Sequence, residues 1–152
     1  MNFDSKHVAA AAGISPATLR NWTVRGLVEP TFPAQGRGYP AEWIATDLMT
    51  VVALARLVDM GMTPADAVTL ADKIGSDASE YLLLTRPGVY ARPSAEERSW
   101  RLYWTWTSHG WSHSTEPHPT RPTITIDAAG MAIDAMQRLY DEYPETEERT
   151  TE

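Results

Sequence analysis

The stretch GISPATLRNWTVRGLVEP, Gly13 to Pro30, decides how the rest of the chain is read. Ser15-Pro16 starts a helix: the serine side chain caps it, and proline at the first helical position gives up an N–H that would have had no partner. This helix is predicted to run to about Arg25, with Gly26 as its stop. On the other side of the quoted stretch, Asp4 or Ser5 caps a short helix that runs through Ala12 and ends at Gly13. Ala11, Ile14 and Leu19, with Trp22 or Leu27, close a small core between the two. Two short helices joined across Gly-Ile-Ser make a helix-turn-helix.

Further out, Val28 to Tyr39 contains Pro30, Pro33, Gly36 and Gly38, which excludes a regular helix and favours a short hairpin or wing. From Ala41 to Met60 the apolar residues Ile44, Leu48, Val51, Val52, Leu54, Ala55 and Val58 recur at helical spacing. Thr63-Pro64-Ala65-Asp66 repeats the cap-plus-proline start, and Ala67, Leu70, Ala71 and Ile74 continue it as a second amphipathic helix. After about Gly75 the pattern changes to period two. Tyr81 to Thr85 reads as a short strand. Ser99 to Ser108 alternates, with Trp100, Leu102, Trp104 and Trp106 on one side and Arg101, Tyr103, Thr105 and Thr107 on the other. His109 to Pro122 reads as a polar loop. Ile124 and Ile126 form a last strand, Asp127 caps a helix carrying Met131, Ile133, Met136, Leu139 and Tyr140, and the tail from Pro144 is expected to be disordered.

Composition limits the function. The chain has 152 residues, 43% of them hydrophobic, enough for a packed core. Its formal net charge is −7, which argues against a chain coated all over in cations, though not against a local anion-binding face. That charge is uneven. Residues 1–75 hold six Lys/Arg against seven Asp/Glu, residues 76–152 seven against thirteen, so an anionic partner belongs on the first half. With no cysteine, disulfide frameworks, thiol nucleophiles and cysteine-based zinc fingers are excluded. The N-terminus carries Asp4 early and has no long apolar run, and Ile44 to Met62 is broken by Asp47, Arg56 and Asp59. Neither a secretory signal nor a membrane span is expected, and the expected location is the cytoplasm.

The first half resembles the MerR-type winged helix-turn-helix. Leu19-Arg20, Trp22, Gly26-Leu27 and Pro30 stand where that family has Leu-Arg, an aromatic, Gly-Leu and Pro, and Arg37-Gly38-Tyr39 fits the Arg-x-Tyr of its wing. Downstream, Asp47, Val51, Leu54, Leu57 and Gly61 keep the family's spacing, and Thr63-Pro64 begins the next helix. About four extra residues lie between Tyr39 and Asp47. A tryptophan-rich segment stands in place of the family's long dimerising helix, so the resemblance implies neither how the chain dimerises nor what it senses.

These readings make an α+β protein. A mainly helical winged helix-turn-helix would occupy 1–75, a small α+β dimerisation or effector module with a Trp-rich strand and a final helix 76–143, and an acidic tail 144–152. A helix of this kind enters the major groove by its N-terminal end, which brings Ser15, Ala17 and Thr18 nearest to base edges. Arg20, Asn21 and Arg25 are placed to meet phosphates and bases; Arg37 and Tyr39 could straddle the backbone, or Arg37 could reach into the minor groove. Trp22 has two places open to it, a phosphate contact or the core beneath the wing, and the same choice is open to Tyr39. Trp100, Trp104 and Trp106 could form a dimer interface, the buried face of a sheet, or an effector pocket. His109, His113 and His118 match no metal motif, and no acid–base pair, nucleophile or phosphate loop stands out, so neither a metal, nor a cofactor, nor catalysis is expected.

The function expected is a sequence-specific transcriptional regulator that binds double-stranded DNA as a homodimer on an inverted repeat, with a protein partner or small-molecule effector at its C-terminal module. Two other readings stay open. One is an architectural DNA-binding protein of the phage excisionase or terminase kind; the other is a protein-interaction module that no longer binds DNA.

Overall fold

The computed structural model describes residues 2–85, 103–107, 110–114 and 125–145. Five helices and a three-stranded sheet follow in the order α1 (Ser5–Ala12), α2 (Pro16–Val24), α3 (Ala45–Asp59), α4 (Pro64–Thr85), β1 (Tyr103–Thr107), β2 (Gly110–Ser114), β3 (Thr125–Asp127) and α5 (Ala128–Glu142). The helix starts are set by side-chain oxygens. Asp4 accepts from the His7 N–H, Ser15 from Thr18, Thr63 from Asp66 and Asp127 from Gly130. Gly13 ends α1 at φ 66°, where a Cβ would be strained, and its N–H returns to the carbonyl of Ala10. The sequence expected all of these stops and starts.

α3 is the centre of the molecule. Eight of its 15 residues are buried, and it packs against α4, α1 and α5. One apolar cluster runs from Phe3, Val8 and Leu19 through Leu48, Leu54 and Ile74 to Met136, Leu139 and Tyr140, joining both ends of the chain. At about 25 cal/mol per Å2 of apolar surface removed from water, each fully buried Leu or Met contributes about 2 kcal/mol to that core. α5 lies against α1, and the Arg138 guanidinium donates from both Nε and Nη2 to the carbonyl of Ala11, at 2.9 and 2.8 Å. The buried last turn of α1, whose carbonyls have no partner within the helix, thus finds a donor in a distant helix.

Two expectations need correction. Tyr81 to Thr85 is not a strand, because α4 continues unbroken from Pro64 to Thr85. Gly75, read as the point where the pattern changes, lies inside α4. A Cβ at this glycine would lie 2.5 Å from both Cα and N of Thr50, so its role is to let α4 approach the backbone of α3. Second, the run from His109 to Pro122 is not all loop: Gly110–Ser114 is β2. The sheet order is β2-β1-β3, all antiparallel, with Trp104 opposite His113 and Ile126, and Trp106 opposite Trp111. β1 is therefore the central strand. Of the expected strand from Ser99, the segment 103–107 is described; Trp100 and the acidic tail from residue 146 onward lie outside the described residues. No helix among the described residues is long and apolar enough to cross a membrane.

Candidate nucleic-acid interface

α2 is held to the body by one side. Leu19 and Trp22, three residues apart, are buried, and the Leu27 N–H closes the helix end on the carbonyl of Trp22 at 2.9 Å. The other side is open. Ala17, Arg20, Asn21, Val24 and Arg25 are all exposed, and their spacing of i, i+3, i+4, i+7 and i+8 makes one continuous stripe. No acidic residue occurs from Ser5 to Val28, whereas Lys6, Arg20 and Arg25 do, so a chain that is acidic overall presents a cationic helix here.

Residues 28–43 fold back on themselves beside α2. Phe32 and Glu42 exchange two backbone hydrogen bonds at 3.2 and 2.9 Å, and the Gln35 N–H donates to Tyr39 across a tip containing Gly36 and Gly38. The base of this excursion is pinned from α3. Asp47 accepts from the Thr31 N–H at 2.8 Å, from the Thr31 hydroxyl at 3.1 Å and from the Ile44 N–H at 3.0 Å. The next residue out, Trp43, is buried; its backbone pairs with Phe3 and its indole N–H donates to Ser5. Arg37 and Tyr39 stand on the tip in solvent, Tyr39 with 69% of its surface exposed. Between the excursion and α2 lies a cleft of about 520 Å3 bordered by Leu19, Arg20, Val28, Pro30, Pro33 and Trp43. Lys6 also borders it, its ammonium 5.0 Å over the ring of Tyr143, just beyond α5.

The expected site residues thus divide. Ala17, Arg20, Asn21 and Arg25 share the open stripe, and Arg37 and Tyr39 share the tip of the neighbouring excursion. Ser15 and Thr18 sit at the helix start, but Ser15 Oγ takes the Thr18 N–H at 3.1 Å and pairs with the Thr18 hydroxyl at 2.9 Å, so their oxygens are engaged in capping. Trp22 is 5% exposed and belongs to the core; of the two places open to it, the indole takes the one that offers no surface to a phosphate. Two residues escaped the sequence reading. Val24 lies on the stripe with 81% of its surface exposed, which a helical projection from Arg20 would have shown. Thr31 holds the excursion to Asp47, a contact across 16 residues that no local pattern announces.

Trp104 and Trp106 belong to the central strand β1. Among the described residues, no three His, Asp or Glu side chains group as a metal site; His109 and His118 lie outside those residues.

The geometry has a counterpart among known families. Residues 3–74, just under half of the chain, match the family model of the MerR HTH family regulatory protein. No curated protein sequence matches the chain. The match spans α1, α2, the excursion, α3 and the first half of α4, and it stops short of the sheet and α5. Residues 3–74 of this protein are a MerR-type helix-turn-helix domain, the domain of a family of DNA-binding transcriptional regulators.

Proposed function

We propose that this protein is a sequence-specific transcriptional regulator that binds double-stranded DNA as a homodimer on an inverted repeat. The observation that carries the reading is the open stripe of α2, which is cationic and free of carboxylates and sits in a helix-turn-helix of a DNA-binding family. α2 enters the major groove, where Arg20 and Asn21 have the donor geometry to read guanine and adenine edges. Arg25 meets phosphates. The excursion from Val28 to Trp43 is the wing, and Arg37 and Tyr39 at its tip meet the flanking backbone. Capping by Ser15 and Thr18 sets the start of α2, so those two residues act on DNA through the position of the helix.

Dimerisation follows from a physical need. One short helix reads a few base pairs, and two half-sites multiply the discrimination. The second half of the chain, acidic and outside the family match, supplies the dimer contact and the surface for a protein partner or small-molecule effector. Its charge keeps that half away from DNA and turns the first half towards it. The protein is expected to act in the cytoplasm, without cofactor or catalytic step.

The test is selection of duplexes from a random DNA pool, with an Arg20→Ala/Arg37→Ala double variant in parallel. The expected outcome is an inverted repeat enriched by the wild type alone, with log K falling steeply as log salt rises. Enrichment of a single half-site would remove the homodimer; no enrichment by either protein at moderate salt would remove the DNA-binding reading.

A further inference from the structure

We infer that Val24 is a specificity-determining residue that reads the C5-methyl group of a thymine one or two base pairs from the base read by Arg20. The inference rests on the DNA-binding reading above and goes on to say what the site recognises. Val24 is the most exposed large apolar side chain among the described residues, at 81%. Its neighbours on the stripe are Arg20, Asn21 and Arg25, so it is one apolar point inside a polar face rather than part of a patch for another protein. At 100° per residue it lies within about 60° of both Arg20 and Asn21 around the helix, and about 6 Å beyond Arg20 along the axis. That length is close to two steps of about 3.4 Å along the duplex. An isopropyl group neither donates nor accepts a hydrogen bond. The apolar feature that base pairs present in the major groove is the thymine methyl, so that methyl is the chemistry Val24 can recognise.

Uracil differs from thymine by this methyl alone, which gives a clean experiment. The duplex recovered by selection is resynthesised with deoxyuridine in place of each half-site thymine in turn, and binding is measured for wild type, Val24→Ala and Arg20→Ala. Wild type is expected to lose about fourfold at one thymine, the value of one buried methyl. Val24→Ala, with an unchanged melting temperature, is expected to bind the thymine duplex about fourfold or more weakly and to make no distinction between thymine and uracil there. Two results overturn the inference while the DNA-binding reading stands: indifference of the wild type to uracil everywhere, with Arg20→Ala still weakening binding, or a uracil effect that survives in Val24→Ala. Failure of the pool to yield any preferred duplex overturns both.

Discussion

α2 and α5 each start on a side-chain oxygen, Ser15 for one and Asp127 for the other, and there the likeness ends. α5 buries nine of its 15 residues and packs on α1, α3 and α4. α2 buries two of its nine and turns a cationic stripe to solvent. Folding draws its free energy from α5 and asks little of the outer face of α2. That face can be occupied by residues chosen for what they touch in another molecule, at almost no cost to the core.

The contrast makes measurable demands, the largest on the buried side. Leu139 is fully buried in α5, and Leu139→Ala should lower unfolding free energy by about 2–5 kcal/mol in urea titrations. The DNA affinity of the protein that remains folded should not change; a specific loss of affinity would mean that α5 does more than support. Gly75→Ala tests the close approach of α4 to α3. Alanine in an open helix would stabilise by about 0.5–1 kcal/mol. Here the added Cβ meets the backbone of Thr50, and a loss of about 1–3 kcal/mol is expected by thermal melting. A more stable variant would show that the helices have room to separate.

On the exposed side the sign of the effect moves from folding to binding. Arg20→Ala should weaken DNA binding by about 1–3 kcal/mol and, where phosphate is contacted, lower the salt slope by about one. Its melting curve should stay within about 0.5 kcal/mol of wild type; a comparable loss of stability would break the distinction between the two helices. The smallest effect belongs to the cap. Ser15→Ala removes the acceptor for the Thr18 N–H and should cost about 1 kcal/mol of stability, read in the same urea titration, together with a modest fall in affinity as the start of α2 frays.

How much of this was legible follows from how far apart the interacting residues are. Asp4, Ser15, Thr63 and Asp127 cap helices through an N–H no more than three residues away, so the sequence carries both partners side by side. Gly75 was misread because glycine inside a helix and glycine after one look alike until the neighbouring helix is known; the deciding atom is on Thr50. β2 was misread for a similar reason. Gly110–Ser114 has no strong apolar alternation, and its extended form is set by pairing with β1. For the site, the spacing from Leu19 left Trp22 open between core and phosphate and passed over Val24, although both were within reach of a helical projection, whereas the Asp47 anchor of the excursion at Thr31 needed the fold. The family motifs carried the first half of the chain, and nothing comparable marked where α5 would dock.

The Arg138–Ala11 contact has a consequence in time. The two residues are 127 positions apart, so the group that completes the last turn of α1 is synthesised long after α1 itself. At about 5–20 residues per second, the interval is roughly 6 to 25 s. Long-range closure of this kind also slows folding once the chain is free, because distant segments must meet before the contact is gained. A helix-turn-helix finished by so distant a helix reaches its final form late, and a chain interrupted before residue 138 would present an α1 whose last turn lacked its donor.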